Sequence, residues 1–177
     1  MSTVQPEPLA PPSVVTRPAS ILTLTLLLGL QPITTDLYLP SLPQLTQDLG
    51  ASLVAGQLTL SVLILAFGVA QLFWGPLADR LGRRPVLLAG LSLHVLASVG
   101  CALAPTIDAL LVWRAVQGVA LAAAVVCARA LVRDLYEPHN GAQVLALALS
   151  GLGVVALLGP LIGGAAAQFW GDRKSVV

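Results

Sequence analysis

Long apolar runs separated by short polar connectors dominate the chain. Five stretches are apolar over the roughly 20 residues that a helix needs to cross a bilayer. They are about Ser20–Pro40, Val54–Leu77, Val86–Ala104, Ile107–Val132 and Val144–Trp170. The runs are continuous, unlike the alternating segments of about 10 residues that build a transmembrane β-barrel. Short connectors predict helices packed as antiparallel neighbours. The expected fold is an all-α membrane bundle of five transmembrane helices.

Composition agrees with that pattern. Only 10% of the 177 residues are charged, against about 25% in soluble domains, and the mean hydropathy is +0.89. A net charge of +1 gives no reason to expect nucleic acid as a partner. Cys101 and Cys127 lie inside apolar runs and read as small buried residues, neither a disulfide nor a metal pair. Residues 1–19 are proline-rich, without the apolar run of a signal peptide, and are expected to form a disordered tail.

Basic residues orient the bundle. Arg80, Arg83 and Arg84 fill the second connector, Arg129 and Arg133 flank the fourth, and the first and third carry none. By the positive-inside rule the N-terminus, with Arg17, is expected in the cytoplasm. The end GDRKSVV conflicts with this, since five spans would place Arg173 and Lys174 outside. One permitted coding of Asp172 to Val177, followed by a stop, reproduces a common sequencing adapter. Residues 172–177 are therefore expected to be a non-native tail, with 20–171 forming the bundle.

The stretch FWGPLADRLGRRPVLLAGL places Asp79 and three Arg between glycines at the second connector. Glycine permits a tight reversal and close backbone approach, the Arg cluster holds the loop in the cytoplasm, and Asp79 sits at a helix end where it can pair. A plain positive anchor would explain the Arg residues but not the glycines or Asp79. The stretch resembles the loop 2–3 signature of the major facilitator superfamily at Gly75, Leu77, Ala78, Asp79, Arg80, Gly82, Arg83 and Arg84. The resemblance implies a conformational latch that engages the other half of the carrier.

Three further stretches resemble the Bcr/CflA-type drug efflux carriers. TTDLYLPSLPQL matches their first span, and WRAVQGVALAAAVVCARALVRDLY their fourth, with a charged end at Arg129, Arg133 and Asp134. GLGVVALLGPLIGG resembles the fifth-span signature of proton-driven antiporters, departing at Val155 where glycine is usual. The resemblance runs from about Leu26 to Trp170 and covers the first five of twelve expected spans. It implies that the rest of this half and the C-terminal half of the same transporter are partners.

A mid-helix Asp or Arg costs at least about 2.5–3.5 kcal/mol and marks a pathway or a pair. Counted from the span ends, Asp36 lies about 6 Å deep and Arg114 about 10 Å, so the two are expected to face each other or one water-filled cavity. Burial favours the neutral acid and a nearby cation the carboxylate, so a small movement could switch Asp36; a static pair that fixes packing is the other reading. The resemblance assigns proton coupling to the fourth-span Arg with Gln117 and Gly118.

Other features admit two readings. Gly151, Gly159 and Gly163 recur at multiples of four and suit close helix approach. Gly159-Pro160, followed by Gly163-Gly164, could serve as packing or as a hinge. Pro32 could kink the first span. His94 reads as a packed polar residue, and Trp74, Trp113 and Trp170 as interface anchors.

The resulting expectation is a proton-coupled antiporter of the inner membrane that exports small apolar or cationic compounds. It would use no cofactor beyond the proton gradient, and the fragment would be inactive alone. The alternative is a stand-alone membrane scaffold that self-associates. No Ser/His, HExxH or paired-carboxylate arrangement supports an enzyme, and no metal site is expected.

Overall fold

A computed structural model describes residues 18–136, 140–150 and 153. Most of the fifth span, with Gly151, Gly159, Pro160, Gly163 and Gly164, lies outside these, as do His139, the first seventeen residues and the tail. Among the described residues the structure is helical, without strands. It comprises α1 (Pro18–Asp36), a 3-10 turn (Leu39–Ser41), α2 (Leu42–Asp48), α3 (Leu53–Leu81), α4 (Arg83–Leu103) and α5 (Ile107–Leu135). Residues 140–150 are helical as well.

Four helical stretches are long and apolar enough to cross a membrane: Ser20–Asp48, Leu53–Leu81, Arg83–Leu103 and Ile107–Leu135. Their outward positions suit lipid contact: Leu65, Leu72, Val95 and Leu96 are all well over half exposed. Ser52 and Thr106 start α3 and α5 by accepting from the N–H groups of Ala55 and Ala109, both at 3.2 Å, as N-cap residues do.

The first span differs from expectation. It was expected to run unbroken to Pro40, but α1 stops at Asp36 and the following connector is itself helical over Leu42–Asp48. Pro40 has no N–H to give the Asp36 carbonyl, and Pro43 has none for Leu39, so the α-ladder is interrupted twice. Each proline then sits in the first turn of the next short element, where its missing N–H costs nothing. This folds α2 over the end of the bundle, where Leu42 and Leu45 pack with Tyr38, Cys101, Ala104 and Leu110.

The second connector is tighter than the spans predicted. Asp79 and Arg80 belong to the last turn of α3, and Arg83 and Arg84 to the first turn of α4. A single residue, Gly82, joins the helices at φ +92° and ψ 156°, a region that essentially only glycine occupies. Gly75 is not part of the reversal. It is helical within α3, and a side chain there would meet nothing within 4 Å.

Helix α5 is central, packed against α3, α4 and α1. Its run Ala120-Leu-Ala-Ala-Ala-Val125 is buried throughout, and small residues of this kind let transmembrane helices approach closely. Backbone meets backbone at Gly118, where an added Cβ would collide with the Leu63 carbonyl of α3. Trp74, expected as an interface anchor, also ties two helices together: its Nε1 donates to the Val119 carbonyl of α5 at 2.8 Å.

Candidate functional site

Two polar clusters interrupt this apolar bundle, near opposite ends of α5. Arg114 lies seven residues past Ile107, and Arg133 and Asp134 form part of the last turn. The separation along the helix is about 30 Å at 1.5 Å per residue.

The first cluster is buried. Arg114 is 1% exposed, and its guanidinium carbon lies 3.8 Å from the centroid of the Tyr38 ring. Its Nη1 donates to Gln117 Oε1 at 2.9 Å, one helical turn on, and Gln117 Nε2 donates to Ser98 Oγ of α4 at 2.8 Å. The Tyr38 hydroxyl meets Thr59 Oγ1 of α3 at 2.8 Å, while Thr59 donates to the Gly56 carbonyl at 2.6 Å. A threonine hydroxyl has one hydrogen. With that hydrogen committed to Gly56, Tyr38 is the donor to Thr59. The chain of bonds fixes the ring from behind and leaves its face to Arg114.

The satisfaction of this cluster is incomplete. Among the described residues, Nε and Nη2 of Arg114 are buried without a hydrogen-bond partner, as is Nδ1 of His94. Every ion pair among the described residues belongs to the other cluster, so the charge of Arg114 is held by stacking and one amide. A desolvated cation–π contact contributes about 2 kcal/mol, whereas each unsatisfied buried donor costs about 1–3 kcal/mol. The present seat of Arg114 is therefore poorly compensated.

Asp36 ends α1 and is partly buried, with its Oδ1 3.3 Å from Thr35 Oγ1, whose shorter contact is to the Pro32 carbonyl at 3.1 Å. The expected Asp36–Arg114 pairing is not formed among the described residues; Tyr38 stands against the cation instead. The chain continues helically past Asp36, with Leu37 N–H bonded to the Ile33 carbonyl at 3.1 Å. Two residues further on is about 200° around a helix of 3.6 residues per turn, which turns Tyr38, rather than Asp36, toward α5. Depth counted from span ends gives height but not this rotation. Tyr38, Thr59 and Ser98 were accordingly not singled out from the sequence, although Tyr38 lies within the TTDLYLPSLPQL segment.

The second cluster gathers the helix ends. Arg83 Nη2 meets Asp79 Oδ1 at 2.6 Å, and Arg83 Nε donates to Asp134 Oδ2 at 3.0 Å. Arg133 approaches Asp79 at 3.9 Å and Asp134 at 3.8 Å. Arg83 thus links the ends of α3 and α5 from the first turn of α4, and Cys127 Sγ contacts its carbonyl at 3.7 Å. Asp79 remains 56% exposed, so these pairs are screened and each contributes about 0–1 kcal/mol. Beside them lies a cleft of about 320 Å³ lined by Gly75, Asp79, Arg83, Val126, Arg129, Ala130 and Arg133. Arg80 and Arg84 are exposed around the turn. Among the described residues no cluster of His, Cys, Asp and Glu could hold a metal ion.

Comparison with known proteins places this architecture. The profile of the Major Facilitator Superfamily matches residues 24–173. Multidrug resistance protein D of Escherichia coli (strain K12) is 36% identical over 153 residues, covering 86% of this chain and 39% of that protein. The chloramphenicol resistance protein of Pseudomonas aeruginosa is 40% identical over 78% of this chain and 33% of its own length. The MFS antiporter QDR3 of Candida albicans (strain SC5314 / ATCC MYA-2876) is 32% identical over 81% of this chain and 21% of its own. The chain spans less than two fifths of the length of each of these curated relatives. With an all-α membrane architecture and a family match over nearly its whole length, the chain belongs to the major facilitator superfamily, its relatives being multidrug resistance transporters of the Bcr/CflA type.

Proposed function

We propose that this chain supplies the first spans of a proton-coupled antiporter that exports small apolar or cationic compounds from the cytoplasm. The drug-resistance names of its relatives support the efflux reading, and the fungal antiporter supports exchange. The observation that carries the coupling reading is Arg114: a fully buried cation with two donors that find no partner among the described residues. A buried charge without a counter-ion costs several kcal/mol, and in membrane helices such residues mark ion or substrate pathways. Asp36 is the carboxylate at the end of the helix whose continuation holds that cation. It takes up the proton, and Arg114 responds to its charge.

The Asp79 cluster serves as a latch in this reading. Its ion pairs hold the ends of three helices at the face with the Arg residues, and the exposure of Asp79 leaves room for groups on helices beyond those described. By the distribution of Arg, that face and the N-terminus are cytoplasmic, with the carrier in the inner membrane. Substrate would bind near the midplane between two halves, so these spans alone provide one wall of a site and transport nothing. The enclosing helices would correspond to the remaining length of the relatives.

The test uses the complete gene product of the source locus in cells stripped of their own efflux pumps. It should lower drug accumulation, and Asp36→Asn should abolish that energised efflux while membrane expression stays unchanged. Undiminished efflux by Asp36→Asn would remove Asp36 from the mechanism.

A further inference from the structure

Gln117 and Ser98 carry the polar cluster from Arg114 into α4, and chemistry fixes the direction of that chain. An arginine has donors only, so the side of the Gln117 carboxamide that meets Arg114 Nη1 at 2.9 Å is its oxygen. The amide nitrogen is thereby turned to Ser98, whose Oγ accepts at 2.8 Å. A serine hydroxyl has one hydrogen, and Ser98 must direct it away from Gln117. We propose that it is donated to Nδ1 of His94, which makes His94 a positioning residue for Arg114, acting through Ser98 and Gln117. The role of Arg114 as the coupling cation is taken from the reading above; the bond itself does not depend on it.

Three observations carry it. The hydrogen of Ser98 is uncommitted. Thr34, Thr59 and Ser61 donate to carbonyls three or four residues back on their own helices, as helical hydroxyls commonly do. Among the described residues Ser98 makes no such bond and only accepts, from Gln117. The deficit of His94 is complementary. Its Nδ1 is buried and finds no partner among the described residues, and in the neutral imidazole with its hydrogen on Nε2 this atom is an acceptor. The two residues also share one face of α4, four residues apart, where Cβ atoms lie about 5–6 Å from each other. A change of side-chain rotamer closes that gap without moving the backbone.

The chain then runs in one sense, from Arg114 through Gln117 and Ser98 to His94, and each bond polarises the next. Its far end belongs to the same cluster as its start, since His94 lies within electrostatic reach of Arg114. The imidazole keeps the Ser98 hydrogen off Gln117, so the carboxamide goes on presenting Oε1 to the cation. Without that acceptor the hydroxyl would compete with Arg114 for the same oxygen. Cys101, three residues beyond Ser98 on α4, is also within reach of Arg114. A thiol sulfur is a weak acceptor, and the imidazole nitrogen is preferred.

The chain has two histidines, His94 and His139, so ¹⁵N-histidine spectra test the bond directly. They are recorded on the full chain in lipid nanodiscs in mild base, where an imidazole is neutral, with His94 assigned by the signals lost in His94→Gln. The expected result is the Nε2–H tautomer, with the Nδ1 signal moved upfield by an accepted hydrogen bond. Ser98→Ala should return that signal downfield to its unbonded position, and Ser98→Thr, which keeps the hydroxyl, should not. Gln117→Glu tests the direction: a carboxylate accepts from both Arg114 and Ser98, so Nδ1 should lose its bond there too. An Nδ1–H tautomer or an unbonded Nδ1 in the unsubstituted chain overturns the proposal before any variant is made. A signal that ignores Ser98→Ala overturns it as well. In the complete carrier, His94→Gln, whose carboxamide oxygen can accept in place of Nδ1, should retain more efflux than His94→Leu; equal efflux by the two would remove the positioning role. The bond is read without transport, so its failure leaves the transport reading standing, and failed efflux leaves the bond measurable.

Discussion

Arg114 depends on neighbours that were placed for it one bond at a time. Thr59 shows how far that dependence extends, because it touches Tyr38 and not the cation. Thr59→Val keeps the shape but leaves the Tyr38 hydroxyl as a buried unsatisfied donor, a cost of about 1–3 kcal/mol. The expected result is a lowered unfolding midpoint of the chain in detergent, while Tyr38→Phe, which removes the donor as well, should recover most of the loss in the double variant. Equal destabilisation of Thr59→Val with and without Tyr38→Phe would show that the hydroxyl pair is not the source. Gly118 sets a second residue-scale constraint. An added methyl would strike the Leu63 carbonyl, and overpacking of this kind costs about 1–3 kcal/mol. Gly118→Ala should therefore be destabilised by thermal melting, whereas Gly75→Ala, where a side chain would meet open space, should melt like the unsubstituted chain.

At the scale of elements, the α3–α4 turn depends on one residue. Gly82 holds φ +92° and ψ 156°, and any residue with a side chain would be strained there by about 1–3 kcal/mol. Gly82→Ala should lower the melting temperature measurably, more than removing the exposed Asp79–Arg83 pair through Asp79→Asn. The reverse order would contradict the assignment of roles. The spans containing this turn were legible in the sequence because continuous apolar runs and the clustered Arg fix where the membrane begins and ends. Helix α2 was not legible, because Pro40 and Pro43 read as connector signals although each occupies the first turn of a short helix. The FWGPLADRLGRRPVLLAGL stretch was legible as a charged reversal, but not that Asp79 finds Arg83, Arg133 and, through Arg83, Asp134 within the described residues. Those partners come from helices brought together only by packing around α5.

At the scale of the whole molecule, the two polar clusters lie near opposite ends of α5. One end carries exposed, screened ion pairs that can exchange partners at little cost. About 30 Å along α5, the other holds a buried cation against the Tyr38 ring. Height in the membrane could be counted from sequence for Asp36 and Arg114, but the rotation that turns Tyr38 toward α5 could not, since it depends on how α1 ends. The separation of the clusters suits a carrier in which protonation at one end and opening at the other are linked by rigid helices. The most direct test of that account is proton release by the complete carrier, purified in weakly buffered detergent and mixed with a drug that it exports. The account predicts that drug binding releases a proton, and that Asp36→Asn binds the same drug without releasing one. Drug binding that releases no proton from the unsubstituted carrier, or unchanged release from Asp36→Asn, would contradict it.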